Sequence, residues 1–174
     1  MLRPLVYENL EWVRLERNRP ECRQYFRQPY LLTPSDQDKW FEQVKNREYI
    51  PFIVEYDLNR IGVVQLSHID NIARKCEFSI MIVPEFRHRG FGKIALWELL
   101  KYAFNDLNMN QVYSDVFETN CALDYYLKWG FKSYAILPNW YYKDGQYIDS
   151  ILISITKDEY INSLKQTVSE SSSN

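Results

Sequence analysis

Val83-Pro84-Glu85-Phe86-Arg87-His88-Arg89-Gly90-Phe91-Gly92-Lys93 is the stretch on which the fold turns. Before it, Lys75 to Val83 alternates: Cys76, Phe78, Ile80 and Ile82 take one face, Glu77, Ser79 and Met81 the other. That is the period of a strand, and Pro84 ends it. After it, Phe91, Ile94, Ala95, Leu99, Ala103 and Leu107 recur at helical spacing, so a helix is predicted from about Gly90 to Asn105. Gln111 to Phe117 reads as a strand again. Strand, helix, strand makes a βαβ unit with a parallel pair and a right-handed crossover.

The loop of this unit carries chemistry. A helix N-terminus offers unpaired N–H groups and a partial positive charge. Gly90 and Gly92 let a phosphate approach those groups closely. Arg87, His88, Arg89 and Lys93 add positive charge at the same point, so the loop reads as a pyrophosphate cradle. It lacks the four-residue glycine spacing and Gly-Lys-Ser/Thr of a P-loop, and the third glycine of a dinucleotide fingerprint.

Outward from the loop, short strands are predicted at Leu2–Val6, Tyr49–Tyr56, Ile61–Ser67, Phe131–Leu137 and Tyr147–Thr156. Asn9 can cap a helix through Leu15, and Pro20 fits the first turn of a helix over Glu21–Gln28. Thr33-Pro34-Ser35-Asp36 is a helix start. Cys121 to Trp129 reads as a helix, and Lys143-Asp144-Gly145-Gln146 as a turn. One domain over 1–164 and a disordered Ser-rich tail over 165–174 follow.

Composition narrows the field. With 21 basic against 23 acidic residues, a global electrostatic grip on nucleic acid is not expected. No apolar run approaches the ~18 residues of a membrane span. Three separated cysteines lack metal spacing, and the N-terminus is charged too early for a signal peptide, so a reducing cytoplasm and no metal are expected. Only five glycines occur, so each is expected where the backbone demands it.

The pattern R-x-x-G-x-G at Arg87, Gly90 and Gly92, between a strand and an amphipathic helix, resembles the acetyl-CoA loop of the GNAT superfamily of N-acetyltransferases. Ala122-Leu-Asp-Tyr-Tyr-Leu-Lys-Trp-Gly-Phe131 resembles that family's second motif, with Ala122, Tyr126, Gly130 and Phe131 in register. Arg17–Tyr25, Ser35–Phe41 and Trp140–Leu152 resemble the branch that acetylates ribosomal proteins, polyamines and nucleotide-linked amino sugars. The likeness extends to about Tyr160. The sequence departs at one point: where the family usually has Asn, Thr119 stands, and Asn120 comes one place late.

The resemblance implies an α/β (α+β) fold. Its mostly antiparallel sheet has about seven strands, a central splayed parallel pair and flanking helices. It implies acetyl-CoA as co-substrate and direct transfer to a primary amine in a ternary complex. Backbone N–H groups near Ile82 and Val83 would face the thioester, and the loop residues and Asn120 would line the CoA. Tyr126 matches the tyrosine that protonates the departing thiolate; a core tyrosine is the alternative. Glu77 matches a frequent glutamate base, acting directly or through a water, against an exposed strand carboxylate. His68 reads as a strand-end residue and Cys121 as a small buried one.

For the acceptor, six arginines and no lysine occur in the first 38 residues. Arg23 and Arg27 would share a helix face and present planar forks to phosphate or carboxylate. Trp140 could stack on a base or sugar, and Ser79 and Asp149 could meet the acceptor amine, Asp149 alternatively bonding within its hairpin. A nucleotide-linked amino sugar or another small amine is the acceptor this favours. Competing readings are acetylation of a protein N-terminus or lysine, and a non-catalytic CoA-binding module. The aromatics near Trp140 fit hairpin packing or a homodimer contact equally well.

Overall fold

The computed structural model describes residues 1–171, with side chains through 164. Strands β1 (Leu2–Pro4), β2 (Tyr49–Tyr56), β3 (Asn59–Asp70), β4 (Lys75–Ile82), β5 (Gln111–Phe117), β6 (Lys132–Lys143) and β7 (Gln146–Thr156) form one sheet in the order β1-β2-β3-β4-β5-β7-β6. All neighbours are antiparallel except β4 and β5. The helices are α1 (Leu10–Asn18), α2 (Pro20–Arg23), α3 (Pro34–Lys45), α4 (Phe91–Lys101), α5 (Ala122–Lys128) and α6 (Lys157–Ser171).

The alternation of apolar residues along the strands feeds two cores. Val54, Val64, Leu66, Cys76, Phe78, Val112 and Ile153 bury against Ala95, Leu99, Ala103 and Phe104 of the α4 segment. Their strand neighbour Ile53 instead joins Leu5, Leu10 and Val13, packed by Trp40 and Val63. One step along the strand thus changes the face, and the sheet is covered on both sides. Fully burying each large apolar side chain contributes about 1.5–3 kcal/mol. Pro34 at the first turn and a reciprocal Thr33–Asp36 capping box start α3 where the sequence placed it.

Four elements differ from the sequence reading. The segment starting at Pro20 stops at Arg23, so Arg23 and Arg27 do not share a helix face. The helix after Gly90 is α-helical only to Lys101 and then widens to a π-turn over Tyr102–Asp106. β6 runs past Pro138 to Lys143, twelve residues long. Where the composition predicts a tail, α6 runs to Ser171, and residues 172–174 lie outside the described structure. No helix among the described residues is long and apolar enough to cross a membrane.

Candidate active site

The parallel pair is short. β4 and β5 pair only from Lys75↔Gln111 to Glu77↔Tyr113, after which they diverge. Val83 N–H donates to Ile61 O at 2.9 Å, and Ile82 lies opposite Gly62 without bonding it. Backbone groups alternate sides along a strand, so the N–H groups of Ile80 and Ile82 face the widening gap. The expectation for Ile82 therefore agrees with its backbone direction. Val83 is corrected: its N–H already has a partner, and the residue is buried.

A cavity of about 660 Å³ fills the gap and reaches from the α4 N-terminus to α1. At one end lie His88, Gly90, Gly92 and Lys93. Gly90 caps α4 at φ +83°, a left-handed conformation that glycine adopts without strain. A Cβ on Gly92 would meet only Ile82 Cγ1, at 3.8 Å. The first-turn N–H groups of α4 have no intrahelical acceptors and form a ready anion site.

Arg87 lines the cavity differently from the expectation. Its Nε donates to Ile82 O at 2.9 Å, Nη1 to Glu21 O at 3.0 Å, and Nη2 contacts Cys22 Sγ at 3.2 Å. It clips α2 to the loop, and its charge stays in the cavity lining. Arg89 is outside the cavity lining; its guanidinium stacks on Phe86 and Phe91.

In the middle of the cavity, Tyr126 of α5 packs edge-on against Phe78 of β4, ring centres 5.4 Å apart. It is 7% exposed. Burial, with a smaller contribution from Cys121, pushes its phenol well above the ordinary value, so it stays protonated at neutral pH. Asn120 also lines the cavity, with its Oδ1 accepting from Ala122 N–H at 3.0 Å to start α5. Cys121 is exposed, not buried as expected.

Across from the tyrosine, Glu77 is only 7% exposed and not a solvated strand carboxylate. It pairs with Arg27 on one oxygen, and its Oε2 lies 2.8 Å from His68 Nδ1. His68 sits in a bulge of β3, where the register shifts between Ser67 and Asp70, at φ +49°. Such a bulge re-aims a side chain, here into the cavity. Arg27 also pairs with Asp115 of β5. Burial opposes its charge, but Glu77 and Asp115 outweigh that and raise its pKa. Asp115 further accepts from Tyr141 Oη at 2.7 Å and Ser150 Oγ at 3.1 Å.

Sequence reasoning missed Asp115 and undervalued His68. The signal for Asp115 was an acid inside a strand whose Val112, Val116 and Phe117 are buried. His68 carried no local signal, because a bulge over a partner strand places it. Of the expected acceptor residues, Ser79 and Arg27 line the cavity. Arg27 is held by two carboxylates, both through Nη2. Arg23 and Trp140 lie outside the cavity, Trp140 being 58% exposed on β6. Asp149 bonds within its hairpin, its Oδ1 accepting from Asn139 N–H at 2.8 Å. Of the side chains expected to favour an anionic acceptor, Arg23 and Trp140 therefore do not line the cavity. Among the described residues no His/Cys/Asp/Glu group is arranged to hold a metal.

Residues 1–128 match the acetyltransferase (GNAT) domain family. The spermidine N(1)-acetyltransferase of Escherichia coli (strain K12) is 31% identical over 162 residues, 92% of this chain and 87% of the relative. The crystal structure of spermidine N-acetyltransferase from Vibrio cholerae, in complex with CoA and spermine, matches with a TM-score of 0.86 at 28% identity. The match covers 92% of this chain and 97% of that one. The acetyltransferase PseH of Campylobacter jejuni is 29% identical over 115 residues, 65% of this chain and 69% of the relative.

Proposed function

This chain belongs to the GNAT family and is an acetyl-CoA-dependent N-acetyltransferase, and on that premise we propose that its acceptor is a small aliphatic polyamine, with Glu77, His68 and Tyr126 carrying the chemistry. The observation that carries the acceptor class is the near full-length likeness to spermidine acetyltransferases. Glu77, buried in the cavity wall, and half-buried Asp115 beside it support it, since an ammonium group is recognised by such acids.

The CoA pyrophosphate sits on the α4 N-terminus at Gly90 and Gly92, beside Lys93. The pantetheine arm lies along β4 and accepts from the N–H groups of Ile80 and Ile82. An attacking amine must first lose a proton. Glu77 accepts a hydrogen bond from His68 Nδ1–H, which leaves Nε2 as the proton acceptor, directly or through a water. The neutral amine adds to the thioester carbonyl, and the oxyanion meets backbone N–H groups of β4. The tetrahedral intermediate collapses with cleavage of the C–S bond. Tyr126, kept protonated by burial, gives its proton to the thiolate.

The test is release of CoA thiol from acetyl-CoA with spermidine, spermine, amino-sugar nucleotides and N-terminal peptides as acceptors. Turnover with the polyamines above the others supports the assignment. Turnover confined to another class overturns the acceptor and leaves the family chemistry standing.

A further inference from the structure

We propose that Arg17 is an anion-binding residue, and that its guanidinium holds a carboxylate or phosphate group of a small ligand where two cavities meet. Arg17, on α1, lines the main cavity together with Gln28 and Trp40. The same three residues line a second cavity of about 260 Å³, which also includes Lys39 and Asp36. The site is thus open to a ligand from either side.

Arg17 lacks the carboxylate partner that four other N-terminal arginines have. Arg3, Arg14, Arg19 and Arg27 each pair with a carboxylate. Arg17 makes one bond, from Nη2 to Gln28 Oε1 at 3.1 Å, and its Cζ stacks 4.5 Å from the Phe26 ring centre. Its Nε is sealed from solvent with no hydrogen-bond partner, and no other buried side-chain polar atom among the described residues is so placed. The single acid of the smaller cavity does not answer it. Asp36 Oδ2 accepts from the N–H and hydroxyl of Thr33 as part of the α3 cap.

A partly buried cation without a counter-charge is costly, and it stays charged here: burial lowers its pKa only to about 10. Packing on Phe26 alone would be served by an apolar side chain. An oxyanion on the fork supplies the missing acceptor for Nε and the missing charge. Lys39 adds a second positive group at the same cavity, and Gln28 lines it beside Arg17.

The consequence for catalysis rests on the acetyl-transfer reading. A polycationic acceptor in the main cavity meets a like charge at Arg17, and a bound anion removes that repulsion. The anion has two sources: a free ion, or a carboxylate carried by the acceptor itself.

The experiment titrates inorganic phosphate into protein saturated with CoA, which fills the cradle, at fixed ionic strength. Wild type should bind, and Arg17→Gln should lose about tenfold or more in affinity, while Arg17→Lys retains part of it. Unchanged CoA affinity in both variants certifies the fold. Two kinetic arms then separate the sources. A free anion lowers the wild-type KM for spermidine when phosphate is added, with no response in Arg17→Gln. An acceptor carboxylate makes 6-aminohexanoate a better substrate than hexylamine in wild type only. If wild type neither binds phosphate nor favours the carboxylate, or if Arg17→Gln behaves as wild type in both, the proposal falls. Absence of thiol release with every amine would overturn the transfer reading, while the phosphate titration would still decide Arg17.

Discussion

Gly92 and Tyr126 mark the two ends of the proposed donor site, and each can be tested by a change that the fold tolerates. A side chain at Gly92 enters open space in the protein itself, with Ile82 Cγ1 at 3.8 Å as the sole neighbour. Gly92→Leu should therefore keep the melting temperature within roughly 2 °C yet lose about tenfold or more in CoA affinity, read by calorimetric titration. Equal affinity would remove the cradle from this loop. Tyr126→Phe keeps the ring against Phe78 and deletes the acid. Turnover should fall by about 10²-fold with acetyl-CoA affinity little changed, measured by steady-state kinetics beside a binding titration. These residues were legible because their signals are local: glycines at a helix start, a tyrosine at fixed spacing from Gly130 and Phe131. Glu77 and Arg27 were singled out too, but the pairing of Glu77 with His68, that of Arg27 with Asp115, and solitary Arg17 were not. Their roles come from neighbours far along the chain, 88 positions for Arg27 and Asp115.

At the scale of elements, the misreadings have two physical causes. Arg27 was read onto a helix face because the run after Pro20 has no strong breaker until Pro29, yet tertiary pairing with Glu77 and Asp115 pulls that segment out of α-helix after Arg23. The strand from Phe131 was read to end at Leu137, before Pro138. β6 is an edge strand, where a missing N–H is harmless, and the chain passes Pro138 through a register shift with Asn139 at φ +51°. The extension has a use: Lys143 Nζ donates to Arg23 O at 2.9 Å and Phe26 O at 2.6 Å, tying the hairpin to the acceptor-side loop. The β3–β4 pair has its own constraint. A Cβ at Gly62 would lie 2.4 Å from the Met81 carbonyl oxygen, a backbone atom that cannot step aside cheaply. Gly62→Ala should destabilise the protein by about 1–3 kcal/mol in urea unfolding and spread the two strands beside the cavity.

Across the whole molecule, acid sensitivity should pass through the docking of α6. Glu159 accepts from Thr156 N–H at 2.8 Å and Thr156 Oγ1 at 2.9 Å, and pairs with Lys132 at 2.5 Å. Burial works against its charge, but the Lys132 and Thr156 bonds prevail and hold its pKa below the usual value. A carboxyl depressed on folding stabilises the fold above its unfolded pKa, near ~4.3, and loses that contribution as pH falls through the folded value. Glu159→Gln should therefore flatten the decline of melting temperature below that point, followed by scanning calorimetry. The short pairing of β4 with β5 has a consequence of another kind. The sheet opens between these strands, and in the proposed binding mode the donor molecule takes the place of the missing strand. Cofactor occupancy should then be written in the protein's own amide protons: those of Ile80 and Ile82 exchange quickly with deuterated solvent when the gap is empty and slow when CoA is bound, while that of Val83, held by Ile61, keeps one rate in both states.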